Sequence, residues 1–76
     1  MNRLETLKQL VAQDPNNSFV RYGLAMELVN SGDLRAGVAE FQAILGVNPG
    51  YAAAYFHGGQ TFEKLGDFDR ARELYR

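Results

Sequence analysis

Leu4, Leu7, Leu10 and Val11 keep the three-and-four spacing of one helical face, and that spacing returns four more times before the chain ends. The first apolar run predicts a helix from Met1 to Asp14, closed by "DPNNS", where Pro15 disfavours helix in the residue before it and Asn and Asp favour turns. Ser18 or Asn17 caps a second helix reaching about Asn30, with Leu24, Ala25 and Leu28 turned inward. A third carries Leu34, Val38, Phe41, Ile44 and Leu45 and stops at "NPG", residues 48–50. A fourth runs from about Tyr51 to Leu65 and a fifth from Asp67 to Arg76. No window alternates with a period of two for long enough to make a strand, so the pattern predicts an all-α fold.

The joints between helices are themselves repeated. "SGDLRAG" begins at Ser31, and 34 positions later "LGDFDRA" begins at Leu65. In both, a glycine able to take the left-handed conformation closes one helix, and an aspartate able to accept from free amides opens the next. The same shift of 34 lays Pro15 on Pro49, Tyr22 on Phe56, Leu28 on Phe62, Gly32 on Gly66, Asp33 on Asp67 and Phe41 on Tyr75. A period of this length marks a solenoid, in which each helix pair buries its apolar face only by stacking on its neighbour.

Period, helix pairing and key positions together resemble the tetratricopeptide repeat. A repeat opened at Ser18 offers Arg21, Leu24, Ala25, Leu28, Gly37, Phe41 and Pro49, and one opened at Ala52 offers Tyr55, Gly58, Gly59, Phe62, Ala71 and Tyr75. Residues 1–14 match the second half of a preceding repeat, residues 18–51 a full repeat, and residues 52–76 a repeat that stops at its twenty-fifth position. The resemblance implies antiparallel helices stacked as a short right-handed superhelix. Arg21 stands where the family usually has an aromatic and Gly58 where it usually has leucine, so local packing at both is expected to depart from the pattern. The short second repeat implies a domain fragment, or an edge that something else must cover.

Composition narrows the classes of function. With 46% hydrophobic residues, four Tyr and five Phe, the 76-residue chain is too apolar for disorder, although a domain this small has a thin core. Eight Lys and Arg stand against nine Asp and Glu without a long basic run, so charge recruits neither nucleic acid nor an acidic membrane. The absence of cysteine excludes a disulfide framework and a thiolate metal site. The N-terminal "MNRLETLKQLVAQD" is interrupted by charges, unlike a signal peptide or a membrane span, and a cytoplasmic location is expected.

Candidate chemistry adds little. His57 is the sole imidazole, no G-x-S-x-G is present, and Ser18 and Ser31 both fall at helix ends. The tripeptide "GGQ" at Gly58 to Gln60 is similar to the one peptide-release factors use, but those present it on an exposed loop of a basic protein, whereas here it lies in a helix of a near-neutral one. A small residue at position 59 is explained by close approach of two helices. One histidine with scattered carboxylates gives no metal-ligand spacing, and Asp67 and Asp69 suit the start of a helix better than a calcium loop. We therefore expect no catalysis and no cofactor.

What remains is surface. In the family the first helix of each repeat lines a concave groove. The matching positions are Phe19, Tyr22, Gly23, Met26, Val29 and Asn30 in the first repeat, then Ala53, Phe56, His57, Gln60, Glu63 and Lys64 in the second. Helical spacing sets Phe19, Tyr22, Met26 and Val29 on a stripe away from Leu24, Ala25 and Leu28. Such a stripe is either a docking site for a peptide or helix, or is covered by a neighbouring element of the same chain. The resemblance implies the former, with Phe19, Tyr22, Met26, Val29 and Phe56 as apolar contacts and His57, Gln60 and Lys64 orienting the ligand. One subgroup of the family grips C-terminal carboxylates with Lys, Arg and Asn in this groove. Tyr22, Met26 and His57 replace several of those groups, so no such clamp is expected. The alternative function is a structural or assembly segment of a larger repeat protein, with a homodimer through the C-terminal helix as one form of it.

Overall fold

Each break in the apolar pattern is a helix end in the computed structural model, which describes residues 2–76. The helices are α1 Arg3–Gln13, α2 Ser18–Asn30, α3 Leu34–Val47, α4 Ala52–Lys64 and α5 Phe68–Tyr75. The expected start of the first helix at Met1 lies outside the described residues, and Asn2 caps it by accepting from the Glu5 amide at 2.8 Å. Of the two candidate caps for α2, Asn17 serves, its side-chain oxygen accepting from the Val20 amide at 3.2 Å.

The repeated joints have the same geometry. Gly32 and Gly66 hold φ of 92° and 80°, the left-handed region open to glycine. Two backbone bonds close each helix: Asp33 N–H to Leu28 C=O (2.9 Å) and Gly32 N–H to Val29 C=O (3.0 Å), then Asp67 N–H to Phe62 C=O (2.9 Å) and Gly66 N–H to Glu63 C=O (2.9 Å). Asp33 and Asp67 then cap the following helices by accepting from Ala36 at 3.3 Å and Arg70 at 3.2 Å.

Helices pack on their sequence neighbours, giving a slab whose Cα extents are 35 × 25 × 13 Å. The core is accordingly a row of three clusters. Val11, Leu24 and Leu28 join α1 to α2; Ala25, Phe41, Ile44 and Ala54 join α2, α3 and α4; Val38, Phe62 and Ala71 join α3, α4 and α5. The middle cluster is the tightest, with all four side chains at 0% exposure.

Glycines set the spacing inside the row. A Cβ on Gly37 would come within 2.6 Å of Val29 Cγ2, and one on Gly58 would meet Leu74 Cδ1 at 3.0 Å and Phe41 Cβ at 3.3 Å. Gly59 carries the ring of Tyr75 so closely that any side chain there would overlap it. The spacing of Phe68, Ala71 and Tyr75 predicts one apolar face for α5, turned inward onto α4 with Leu74 at its edge. The departure at Gly58 makes room for Leu74, which packs into the last cluster instead. Phe68, expected on the inward face, is 57% exposed. It is the first residue of α5, and helical side chains lean toward the N-terminus, which carries Phe68 past the end of the pair.

The departure at Arg21 is resolved by a matching device one period away. Arg21 donates to the Pro15 carbonyl from Nε at 3.1 Å and Nη2 at 2.9 Å, and pairs with Glu40 at 2.8 Å. Thirty-four residues on, Tyr55 donates its hydroxyl to the Pro49 carbonyl at 2.6 Å. The inter-repeat turn is tied down both times, once by a guanidinium and once by a phenol.

Candidate functional site

The candidate site is built on α2 and α4, the first helices of the two repeats. An aromatic row crosses from one to the other. The Tyr22 ring lies 5.8 Å from the His57 ring, and His57 lies 5.0 Å from Phe56 in an edge-on arrangement. Tyr22 also leans on Phe41 at 6.0 Å and Tyr51 at 5.7 Å, which ties the row to the middle cluster. Burial first, and then the neighbouring Tyr51 phenol, push the Tyr22 hydroxyl above the usual tyrosine pKa, so it stays a neutral donor and acceptor.

The eight residues expected in the groove divide into three groups. Phe19 and Phe56 are exposed, at 77% and 54%, and are the large apolar groups offered most openly on these two helices. Tyr22, Met26 and Val29 are half-buried and rest against the middle cluster, so the stripe forms the rim of the core and is not separate from it. Val29 goes furthest inward, its Cγ2 filling the space left by Gly37 on α3. His57 is half-buried in the aromatic row, while Gln60 and Lys64 are exposed and make no side-chain hydrogen bond or ion pair among the described residues. α3 and α4 therefore cover part of the stripe, and its upper edge stays open.

The structure adds positions that spacing on α2 and α4 alone does not reveal. Phe19, Tyr22, Gly23 and Met26 form one wall of a groove whose other wall is α1, through Leu7 and Leu10. Leu10, placed by its spacing on the inward face of α1, is 42% exposed in this groove. A signal for it existed in the sequence: a shift of 34 carries Phe41 and Ile44 back onto Leu7 and Leu10. Arg3 and Glu27 close one end of the groove with an ion pair at 2.9 Å.

Thr61, the buried polar side chain, bonds back to the His57 carbonyl at 2.7 Å, and no buried polar side-chain atom lacks a partner among the described residues. Among the described residues no cluster of His, Cys, Asp and Glu is spaced to hold a metal, and no helix is long and apolar enough to cross a membrane.

Comparison with known proteins agrees with the repeat geometry. The sequence model of the tetratricopeptide repeat matches residues 22–76. Among the solved structures, the crystal structure of MamA aligns with a TM-score of 0.90 at 28% identity, over 95% of this chain and 42% of that one. The chain thus spans less than half the length of that structural relative. A search of curated proteins gave no significant match.

Proposed function

Because the chain belongs to the tetratricopeptide-repeat family, a non-catalytic protein-interaction fold, we propose that it is a binding module that takes a peptide or helix of a partner protein on the concave side of α2 and α4. The observation that carries this reading is the aromatic row from Tyr22 through His57 to Phe56, flanked by the exposed ring of Phe19 and the exposed polar groups of Gln60 and Lys64. A patch with apolar anchors and a polar rim suits the docking of an amphipathic segment, because desolvated rings supply affinity and the rim supplies orientation. Met26 widens the apolar floor, and Val29 contributes by fixing the spacing of α2 on α3.

The test is selection of binding peptides from a random library against the isolated chain, followed by amide chemical-shift mapping. Shifts concentrated at Phe19, Tyr22, Phe56, His57, Gln60 and Lys64 support the reading. So does loss of binding in Phe56→Ala with unchanged melting, since that side chain is more than half exposed. Peptides that map to the outer faces of α3 and α5 overturn it.

A second reading, self-assembly, has its own observation. Phe68 and Tyr75 expose 57% and 46% of their surface on α5, where a solenoid would continue. Two chains meeting through α5 would bury both residues in a two-fold contact, the commonest form of closed association. Sedimentation over a wide concentration range tests it: a dimer weakened by Phe68→Ser supports it, and a monomer throughout removes it.

A further inference from the structure

The groove between α1 and α2 has a template inside the same molecule. One period later, α3 and α4 form the corresponding pair, and there the groove is filled by α2, which lays Tyr22, Ala25, Met26 and Val29 on Phe41, Ile44 and their neighbours. Moved back by 34 residues, the wall of that filled groove becomes Leu7 in place of Phe41, Leu10 in place of Ile44, Gly23 in place of His57 and Arg3 in place of Gly37. The walls are in place, and Leu10 and Phe19 stand exposed in them at 42% and 77%. The groove is therefore the continuation, one repeat earlier, of an interface already formed within the chain.

We propose that this groove takes one amphipathic helix of a partner protein, lying parallel to α2, with an aromatic residue at its first contact position, a leucine-sized residue three on, and Asp or Glu seven on. The proposal rests on the reading of the chain as a protein-binding repeat. Each feature of the occupant follows from a substitution in the wall. Where His57 stands beside Tyr22 in the filled groove, Gly23 leaves room for a larger ring. Leu7 is smaller than Phe41, so a residue larger than Ala25 is needed opposite it to keep native packing density. Where Gly37 admits Val29, the long side chain of Arg3 excludes an apolar group. Its side chain is 74% exposed and bonds Glu27 through Nε alone, which leaves the outer guanidinium nitrogens for a carboxylate.

A second copy of this chain is a poor occupant. The matching face of its α2 is already engaged with Phe41 and Ile44. The matching face of its α4 reads Phe56, Gly59, Gln60 and Glu63: Phe56 and Glu63 meet the first and last requirements, but Gly59 offers Leu7 no side chain and is covered by Tyr75, and Gln60 is polar where Met26 is apolar.

The probe is a synthetic helical peptide with Phe, Leu, Met and Glu at the positions of Tyr22, Ala25, Met26 and Val29 on a soluble background, compared with one carrying Lys in place of that Glu. The first is expected to shift the amides of Leu7, Leu10 and Gly23. Gly23→Leu should weaken it more than tenfold by filling the space left for the aromatic residue, in a variant whose circular dichroism matches the parent; a Cβ alone there meets Leu7 Cδ2 at 3.4 Å. Arg3→Glu should reverse the preference between the two peptides by several fold, while circular dichroism stays unchanged. Binding that ignores both substitutions overturns the proposal. Shifts confined to Phe56, His57, Gln60 and Lys64 overturn it too but leave the concave-face reading standing, whereas no shift on either surface counts against both. A free chain that dimerises through Leu7 and Leu10 would assign the groove to a second copy and also overturn it.

Discussion

At the scale of single residues, the same structural tasks are performed twice, and where the residue types differ the difference is informative. Gly32 and Gly66 share a positive φ, and no atom lies near a Cβ at either position, so a substitution there is resisted by the backbone and not by crowding. Gly32→Val and Gly66→Val are each expected to lower stability by more than about 1 kcal/mol in chemical denaturation. Unchanged midpoints would show that the joints tolerate a β-branched residue. Arg21 and Tyr55 tie the two proline turns by different chemistry. Arg21→Ala should cost about 2 kcal/mol, because the Glu40 carboxylate, paired in a site where the two side chains are 17% and 22% exposed, loses its partner. Arg21→Tyr should recover part of that loss by restoring the bond to Pro15. Equal destabilisation by both substitutions would argue that the ion pair alone matters there.

At the scale of elements, helix positions were legible because their signals are local: apolar spacing, Asn17, Asp33 and Asp67 as caps, and Gly32 and Gly66 as stops. The division of α2 into an inward face and a separate outer stripe was less legible. Whether Met26 and Val29 are covered depends on how closely α3 approaches, and Gly37 decides that from another helix. The likeness of the Arg21 and Tyr55 ties was hidden for the same reason, since it depends on where two proline carbonyls point. Helix α5, with only eight residues, shows what holding a short element requires. Its Tyr75 ring covers Gly59, and its hydroxyl donates to Glu63 at 2.5 Å. That hydrogen bond first, then burial and the Glu63 charge, raise the Tyr75 pKa to about 12. The folded value exceeds the unfolded value of roughly 10, so this contribution to stability is complete below about pH 10 and is lost as pH rises through about 12. The Tyr22 pKa is raised as well, so the step that reports on this bond is the one near pH 12: in ultraviolet titration of the four tyrosines it should disappear in Tyr75→Phe and move earlier in Glu63→Gln. The same step surviving in Tyr75→Phe would assign it elsewhere.

At the scale of the whole molecule, the core is a row of clusters joined through neighbouring helices, so stability need not be uniform along the chain. The middle cluster holds Phe41 and Ile44, the largest fully buried side chains, and is closed on both sides by α2 and α4. The flanking clusters are closed on one side only: Val11 keeps 9% exposure beside the open α1–α2 groove, and Ala71 is the single buried residue of α5. Opening an end helix exposes one small cluster and leaves the rest of the row intact, whereas releasing α3 exposes the middle cluster and unfolds the chain. Amide exchange is therefore expected to be slowest for residues 38–44, intermediate for the inner turns of α2 and α4, and fastest for α1 and α5. An occupant of the α1–α2 groove would supply the missing cover on Leu7 and Leu10 and should slow exchange in α1 selectively, with little change in α5. Uniform protection along all five helices, both free and bound, would mean that the row unfolds as one unit and that its ends are not the weak points.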